Sequence, residues 1–381
     1  MRVLYWSDLF WPYVGGAEVF AKKMLPALRG RGHEVIVVTS HDHLDLPDCS
    51  LLGDIPIYRF PLRPALASGD PEKLPENFRR VKQLKRDFSP DLVHLSGVGP
   101  TAFFHLVTET SHPAPLLVSM RTEVLASQKN GRGSILDRSL RRADWVTAVS
   151  SDALEQTRHL VPEIVSRSSV VYNFVDAPVQ APTPLSFEQP RVVCLGRLIT
   201  AKGFDLAMKA FVSVRAEHPG AQLVIAGDGP EKGNLQQLAH HLGVEQSVQF
   251  VGFVRPDDVP GLLNSATIVM LPSRREGLPM VAIEAAMMAR PIVAARTGGL
   301  PEIIIDGQTG LLVEQENVQA LGEALGSLLR RTDQATELGR NARVRAQAMF
   351  GRERCLDEYE GLYRQLTENS IKADHVARRA T

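Results

Sequence analysis

Two glutamates that frame a glycine loop form the segment of the sequence with the clearest chemistry. Glu276-Gly277-Leu278-Pro279 follows an apolar run, Ile268 to Leu271, and precedes an alanine-rich stretch that contains Glu284. A strand, a tight loop and a helix in this order, with Pro279 near the first helical position, leave free backbone N–H groups where phosphate binds. Carboxylates repel phosphate but accept charge-assisted hydrogen bonds from sugar or ribose hydroxyl groups. We therefore expect both acids to contact one ligand; the alternative is one capping acid and one solvated helix acid.

Two cations lie on a second loop that also follows an apolar run. Arg197 comes directly after residues 191–195, and Lys202-Gly203 follows shortly afterwards. Ligands of open α/β sheets bind at the carboxyl ends of the strands. An arginine can fork two diphosphate oxygens, and a lysine can supply a mobile point charge. Either cation alone would be typical of a solvated surface, but together they form a candidate diphosphate site.

A third loop, Val14-Gly15-Gly16-Ala17-Glu18, joins the first apolar run of the chain to the first helical pattern. Gly15 and Gly16 would let the backbone approach a phosphate or a sugar. The loop is not the G-x-G-x-x-G dinucleotide fingerprint, although Asp42 follows the second apolar run, where a ribose-binding acid would be sought. The loop by itself therefore does not define a ligand. A further glycine turn at 226–230 is more typical of a structural strand-to-helix connection.

These loops need parallel strands to bring them to one edge of a sheet. In the first half of the chain, short β-rich apolar runs predict strands at 2–6, 34–39, 55–60, 91–95, 116–120, 145–149 and 169–172. An apolar stripe from Ala17 to Leu28 predicts the first crossover helix, which Gly30 and Gly32 can end. Pro26 lies inside this stripe and predicts a kink or an early break.

The alternation of strands and helices starts again after a proline-rich segment. Prolines at 178, 182, 184 and 190 predict a linker over 176–190 that separates a domain of residues 1–175 from one of residues 191–350. The second domain has predicted strands at 191–195, 222–226, 248–251, 267–271, 291–295 and 310–313. An amphipathic helix is predicted over 351–368, and 369–381 is predicted to be a frayed polar tail.

Composition excludes several classes of protein. The chain has 381 residues, enough for two domains, and its 43 basic and 43 acidic side chains cancel, so no nucleic acid partner is expected. No apolar stretch is long enough for a membrane span. The three widely spaced cysteines favour neither a disulfide framework nor a zinc site. Because Asp8 interrupts the apolar N-terminal segment, no signal peptide is expected, and we predict a cytoplasmic protein.

One helical segment leaves peripheral membrane contact open. Phe78, Val81, Leu84 and Phe88 share a face, and basic residues occupy the other positions. Such a helix can lie on anionic lipid. The same pattern describes an ordinary crossover helix before the strand at 91–95, and we favour that interpretation.

Taken together, these segments resemble the large retaining glycosyltransferase family with the GT-B fold that includes sucrose synthases and bacterial phosphatidylinositol mannosyltransferases. The similar segments span nearly the whole chain, in matching order: Gly15 to Glu18, Arg31 to Val35, Gly196-Arg197, Lys202-Gly203, Gly227 to Pro230, Glu276 to Pro279 and Glu284-Ala285. The resemblance implies two Rossmann-like α/β domains with doubly wound parallel sheets that face each other across a cleft. It also implies that the helix at 351–368 returns to the N-terminal domain.

The resemblance assigns roles to the candidate residues. Glu276 would contact the donor sugar and Glu284 the nucleotide ribose, while Arg197 and Lys202 would bind the diphosphate. The remaining donor-binding residues would be Gly15, Gly16, Gly277, Leu278 and Pro279. The implied reaction moves a sugar from a nucleoside diphosphate sugar to an acceptor hydroxyl group, with retention at the anomeric carbon. It needs no metal ion or other cofactor and no assigned protein base, and it serves the synthesis of a glycan, glycolipid or other glycoconjugate.

Two positions depart from the family pattern. Phe174 replaces a glycine in the linker motif, which predicts a stiffer hinge. Arg121 follows the strand that in the family usually ends in a histidine. We expect Arg121 to project into the interdomain cleft as a catalytic residue, where its charged fork would suit an acidic donor or acceptor. The alternative is an ion pair with Glu123 or Glu18.

A fold and a phosphate site do not fix the reaction. An epimerase or a phosphorylase on the same fold is the main alternative, and a catalytically silent sugar-nucleotide binding protein is another. A dinucleotide-dependent dehydrogenase is disfavoured because the G-x-G-x-x-G fingerprint is absent. The sequence ranks neither the sugar, nor the nucleotide base, nor the acceptor.

Overall fold

The computed structural model describes residues 1–68, 73–124 and 132–379 of the chain. These residues belong to two units, one of Met1–Tyr172 with Glu353–Thr381 and one of Asn173–Arg352. The chain therefore crosses between the units at Tyr172 and again at Arg352. The first unit ends before the predicted linker because Phe174 is buried and the N–H of Val175 donates to the carbonyl of Phe350, 3.1 Å away, within the second unit.

The sheet of the first unit has eight strands within the described residues, in the order β3-β4-β2-β1-β5-β6-β7-β8. Their bounds are β1 Arg2–Ser7, β2 Glu34–Ser40, β3 Cys49–Leu52, β4 Ile55–Phe60, β5 Leu92–Ser96, β6 Leu116–Met120, β7 Trp145–Ala148 and β8 Ser168–Val170. All neighbours pair in parallel except β3, which is antiparallel to β4. The sequence did not predict β3 because this short edge strand is only half-buried and lacks a continuous apolar run.

Helices of the first unit connect these strands. They are α1 Gly16–Gly30, α2 Leu62–Ser68, α3 Lys73–Phe88, α4 Ala102–Val107, α5 Ile135–Arg142 and α6 Ser151–Leu160. The predicted early break at Pro26 was wrong, since α1 continues through this residue to Gly30. Its inner face is formed by large apolar side chains, and their burial compensates the one backbone hydrogen bond that proline cannot donate.

The basic amphipathic segment forms α3, and its apolar face packs against its own unit. Val81 and Phe88 are buried. The ring centre of Phe78 lies 5.8 Å from that of Phe103 and 5.2 Å from that of Phe104. These contacts are those of a crossover helix on the sheet. Among the described residues, no helix combines the length and the apolar character that a membrane span requires.

The second unit repeats the architecture with a fully parallel sheet. Within the described residues its strand order is β11-β10-β9-β12-β13-β14. The strands are β9 Arg191–Leu195, β10 Gln222–Ala226, β11 Val248–Gly252, β12 Ile268–Leu271, β13 Ile292–Ala295 and β14 Leu311–Val313. The helices are α7 Phe204–Glu217, α8 Lys232–His241, α9 Val259–Asn264, α10 Met280–Met287, α11 Leu300–Ile303, α12 Val318–Arg330 and α13 Thr332–Met349. The strand order reverses direction between β9 and β12, and open α/β sheets bind ligands at the carboxyl ends of the strands at such a reversal.

The last helix, α14 Arg352–Arg379, belongs almost entirely to the first unit. Tyr359 and Tyr363 are buried, and the Tyr363 hydroxyl lies 2.7 Å from Nδ1 of His94 on β5. Arg31 pairs with Glu353, Asp357 and Glu360 of the helix. The frayed tail predicted from 369 was wrong as far as Arg379, because a helix anchored over several turns propagates and no glycine or proline follows Gly361.

Candidate functional site

Lys202 and Glu276 lie in direct contact in the second unit. The Nζ atom of Lys202 is 2.7 Å from Oε1 and 2.8 Å from Oε2 of Glu276. Each residue follows the carboxyl end of a strand, β9 for Lys202 and β12 for Glu276, and these strands are neighbours in the sheet. The sheet order therefore brings together two candidate residues that are 74 positions apart in the sequence.

A glycine makes this approach of the two loops feasible. Gly203 adopts a left-handed conformation with φ of 66°. A Cβ atom at this position would lie 2.1 Å from the carbonyl oxygen of Pro272, which is far closer than any real contact. Another residue at 203 would therefore have to push the loop of Lys202 away from the loop of Glu276.

The Glu276 carboxylate is fixed from several sides. Its residue is only 7% exposed, and the hydroxyl of the buried Ser273 donates to Oε1 over 2.7 Å. Gly298 lies against its backbone, where a Cβ atom would be 1.8 Å from the carbonyl oxygen of Glu276. Ser273 and Gly298 were not predicted from the sequence as site residues. A signal for Gly298 was present, because Thr297-Gly298-Gly299 follows a predicted strand just as the other candidate loops do.

Arg274 connects the loops that carry the two residues. Its guanidinium forms a fork with Asp205, with both N–O distances 2.8 Å, and also donates to the carbonyl of Thr200 at 2.9 Å. Its backbone N–H donates to the carbonyl of Ala201 at 2.8 Å, and its Nε donates to Glu316 at 2.8 Å. Burial alone would raise the pKa of Asp205, but the hydrogen bonds and charge of Arg274 hold that pKa below its usual value. Arg274 was not predicted from the sequence as a site residue.

The other candidates of this unit lie on the loop of Lys202, on the loop of Glu276 or on α10. Arg197 lies on the same loop as Lys202 and is exposed, and its side chain forms no hydrogen bond or ion pair with any residue in the described part of the chain. Glu284 is half-buried in the second turn of α10. Leu278 is buried, and Pro279 occupies the N-cap position of α10 with no side-chain cap. The backbone N–H groups at the start of α10 therefore have no capping side chain, as anion binding requires.

The glycine loop of the first unit lies at the start of α1. Gly15 is the N-cap residue and Gly16 the first residue of the helix. A Cβ atom at Gly15 would lie 2.4 Å from a carboxylate oxygen of Glu18, so a side chain there would displace that acid. Burial raises the pKa of Glu18. The loop is thus a tight turn whose helix N-terminus already has an acid nearby.

Arg121 follows β6 and is 9% exposed within the first unit. Its Nε donates to the hydroxyl of Ser96 at 3.0 Å. The guanidinium carbon lies 4.7 Å from the ring centre of Phe20 and 5.8 Å from that of Tyr359. The side chain therefore links the end of β6 with α1 and α14 through a polar contact and two ring contacts.

No group of three or more histidine, cysteine, aspartate or glutamate residues within the described ranges could hold a metal ion. The arrangement in the second unit instead combines a cation, a carboxylate and a helix N-terminus at one strand edge. Cations and N–H groups attract a phosphate, and a carboxylate accepts hydrogen bonds from hydroxyl groups. This set of groups can bind a ligand that joins an anionic part to a polyol.

Two family models match consecutive parts of the chain. The model described as glycosyltransferase family 4 matches residues 14–178. The model described as glycosyl transferases group 1 matches residues 180–345. The first match begins just before Gly15-Gly16, and the second contains Arg197, Lys202, Glu276 and Glu284.

Relatives and solved structures agree with these matches. A GDP-mannose-dependent α-(1-6)-phosphatidylinositol monomannoside mannosyltransferase of Mycobacterium tuberculosis (strain H37Rv) is 38% identical over 159 residues, which are 40% of this chain and 41% of that protein. The match thus spans about two fifths of that relative's length. The N-acetyl-α-D-glucosaminyl L-malate synthase of Bacillus anthracis is 24% identical over 377 residues, or 93% of this chain and 94% of that protein.

Among solved structures, the sucrose-phosphate synthase of Thermosynechococcus elongatus has a TM-score of 0.82 at 22% identity and covers 97% of this chain and 99% of its own. Anabaena HepE in complex with UDP-glucose has a TM-score of 0.78 at 21% identity, with 96% of this chain and all of that chain covered. These likenesses show the GT-B fold of two Rossmann-like α/β domains. Because the two family models together match residues 14–178 and 180–345, the chain belongs to the glycosyltransferases of the family 4 and group 1 type.

Proposed function

We propose that this chain transfers a sugar from a nucleoside diphosphate sugar to an acceptor hydroxyl group, with retention at the anomeric carbon and without a metal ion. The observation that carries the proposal is the contact between Lys202 and Glu276 beside the start of α10. A diphosphate linked to a sugar offers an anion to the lysine and hydroxyl groups to the glutamate. The mycobacterial relative is named for GDP-mannose, and HepE was solved with UDP-glucose, which supports this donor class.

Each candidate residue has a role in this proposal. Arg197, Lys202 and the N-terminus of α10 stabilise the negative charge that develops on the departing diphosphate, while Glu276 orients the sugar. Glu284 contacts the ribose. The acceptor attacks from the face that the diphosphate leaves, and a donor phosphate oxygen takes the acceptor proton, so no aspartate or glutamate serves as a base. Gly15 and Gly16, at the start of α1, let the backbone of the first unit approach the donor.

The acceptor is proposed to be a carbohydrate or glycoconjugate, and Arg121 would suit an acidic group on it.

We place the reaction in the cytoplasm because Cys49, Cys194 and Cys355 are all free thiols, as is usual in a reducing compartment. The apolar face of α3 packs against the core of the first unit. Peripheral membrane contact through α3 would therefore have to rely on its basic residues alone. Flotation with anionic liposomes at low salt tests this contact.

A thermal-shift panel with UDP, GDP, ADP and their sugars tests the donor class, because a ligand that binds the folded state raises Tm. The responding nucleotide sugar is then incubated with candidate acceptors, and proton NMR of the product reports the anomeric configuration. Turnover without any acceptor would indicate an epimerase, and a requirement for inorganic phosphate would indicate a phosphorylase. If no compound of the panel raises Tm, the proposed function is wrong.

A further inference from the structure

We propose that Glu276 makes the site select the intact sugar donor over the spent nucleoside diphosphate, by competing for Lys202 unless sugar hydroxyl groups are present. This inference rests on the proposed function and deepens it. It concerns the order of affinities at the donor site, which the assignment of a sugar contact to Glu276 does not by itself predict.

Lys202 already has an ion-pair partner, Glu276, with which a diphosphate must compete. Both carboxylate oxygens of Glu276 lie within 2.8 Å of the ammonium group, so the pairing is bidentate. The lysine side chain retains 30% of its exposure, whereas the glutamate side chain retains 6%. A diphosphate can therefore reach the ammonium from solvent, but it must share that ammonium with a buried carboxylate.

The carboxylate cannot easily move away from an arriving anion. Ser273 holds Oε1, and the close packing of Gly298 fixes the backbone of Glu276. A diphosphate that binds Lys202 thus brings negative charge next to a carboxylate that loses part of its ion pair. Breaking a buried ion pair from one side is strongly unfavourable because the remaining charge is left uncompensated.

The two ligands differ in what they offer to Glu276 at this point. A nucleoside diphosphate sugar presents hydroxyl groups, whose charge-assisted hydrogen bonds replace the contact with Lys202. A free nucleoside diphosphate ends in a phosphate and has no such donor. The same carboxylate therefore stabilises the donor complex and weakens the product complex, which favours release of the product after transfer.

The variant Glu276→Gln tests the competition because it keeps the shape of the side chain and removes its charge. Isothermal titration uses UDP, GDP, UDP-glucose and GDP-mannose as probes. We expect the nucleoside diphosphate that binds the wild type to bind the variant roughly tenfold more tightly, the scale of one hydrogen bond between charged groups. The intact sugar donor should gain much less or lose affinity, so the preference for donor over product falls.

Glu217→Gln is the matched control. Glu217 belongs to the same unit and pairs with Arg330 at the surface, with a side chain 57% exposed, so its neutralisation causes the same change in net charge. The affinities of the Glu217→Gln variant for all four probes should equal those of the wild type. An equal gain in this control would attribute the effect to net charge and overturn the inference.

Lys202→Gln provides a second test that does not require Glu276→Gln to fold. Glu276 competes for Lys202 only against the free diphosphate. Loss of the lysine should therefore weaken binding of the sugar donor by a larger factor than binding of the nucleoside diphosphate. Equal factors, or unchanged or weaker diphosphate binding in a folded Glu276→Gln variant, would overturn the inference while leaving the proposed function intact. If the wild type binds none of the four probes and neither ADP nor its sugars, the proposed function fails and the inference fails with it.

Discussion

Arg197 and Lys202 occupy one loop but have different surroundings. Arg197 is exposed, whereas Lys202 is paired with the buried Glu276. An exposed charge contributes little to the stability of the folded protein. If both residues stabilise the departing diphosphate, their removal should affect catalysis in the same direction and stability differently.

We predict that Arg197→Ala and Lys202→Ala each lower kcat by roughly 10²- to 10³-fold, the usual effect of removing one stabilising donor. Arg197→Ala should leave Tm unchanged, and Lys202→Ala should lower it because Glu276 loses its ammonium partner. Steady-state kinetics and differential scanning calorimetry measure both effects. Arg330→Ala, which removes a surface ion pair in the same unit, is the control. Normal turnover of Arg197→Ala would contradict its proposed role.

Arg121 combines a proposed functional role with extensive packing. Because its guanidinium contacts Ser96, Phe20 and Tyr359, Arg121→Ala should destabilise the protein by about 1–3 kcal/mol, as loss of a packed polar side chain does. Arg121→His restores the residue type usual in the family. Transfer assays and Tm of both variants distinguish the roles: activity rescued by histidine favours the usual sugar contact, and loss in both with retained folding favours an acidic substrate. Full activity of a folded Arg121→Ala variant would exclude a catalytic role.

Lys85 on α3 has a buried amine whose protonation makes the stability of the protein depend on pH. It is 1% exposed, and its Nζ lies 3.1 Å from both Nδ1 and the carbonyl oxygen of His105. Burial lowers the pKa of Lys85 to about 7, against an opposing effect of Glu109. The pKa of His105 is also lowered, by burial and by the charges of Lys85 and Arg142. The folded state thus binds fewer protons than the unfolded state between about pH 7 and the ordinary pKa of lysine.

Stability must therefore rise with pH across this window, because the unfolded state binds more protons. We predict that the free energy of unfolding of the wild type, relative to Lys85→Met, increases by on the order of 3 kcal/mol between about pH 7 and about pH 9.5, at about 1.4 kcal/mol per pKa unit. Below about pH 7 both states are protonated, and the difference should be constant. Urea unfolding of both proteins measures it, and a difference independent of pH would contradict the prediction.

At the scale of elements, the second unit positions its candidate residues through contacts between loops. The loops after β9, β12, β13 and β14 meet at Arg274, whose carbonyl also accepts hydrogen bonds from Thr297 and Gln315. Glu316, which pairs with its side chain, has a φ of 58°, unusual for a residue other than glycine. A residue held in this conformation indicates that the surrounding contacts determine it.

We predict that Arg274→Ala lowers kcat/KM by roughly 10²-fold, the effect of misplacing catalytic groups by about 1 Å. Arg274→Lys should rescue little, because lysine cannot form the fork with Asp205. Asp205→Asn should change kcat and KM in the same proportion as Arg274→Ala does. Kinetics are compared with those of Arg330→Ala, which has no contact with these loops among the residues described. A lower Tm of Arg274→Ala with unchanged kcat and KM would show that Arg274 only stabilises the unit.

At the scale of the whole molecule, the chain passes between the units at two places. The two passages are joined within the second unit, since Arg352 pairs with Asp176 and Val175 bonds to Phe350. The guanidinium carbon of Arg352 also lies 5.5 Å from the ring centre of the buried Phe174. That a hinge at these passages is stiff stays a prediction, based on the phenylalanine that replaces the glycine of the family motif.

We predict that the domains move as near-rigid bodies when the donor binds, because two linked passages restrict the motion to bending at the hinge. Small-angle scattering should show a smaller radius of gyration with the saturating nucleotide identified by the thermal-shift panel. Phe174→Gly should increase the radius without nucleotide and enlarge the change. Identical scattering of both proteins with and without nucleotide would contradict the predicted hinge.

Local patterns in the sequence were sufficient to predict much of the fold and two loops of the candidate site. The periodicity of apolar residues and the glycines and prolines between runs predicted two α/β domains with parallel sheets, because side-chain burial repeats with the period of each element. Polar residues directly after the runs indicated the loops of Lys202 and Glu276. These inferences need only residues that are close in the sequence.

The tertiary structure decided what depends on contacts between distant segments. The pairing of Lys202 with Glu276 follows from β9 and β12 being neighbours, and from the close approach of Gly203 to Pro272. The same holds for Ser273, for the loop contacts of Arg274, and for the burial of Arg121 between α1 and α14. The order of strands and the packing of loops depend on the sum of many long-range contacts, which no local period of the sequence encodes.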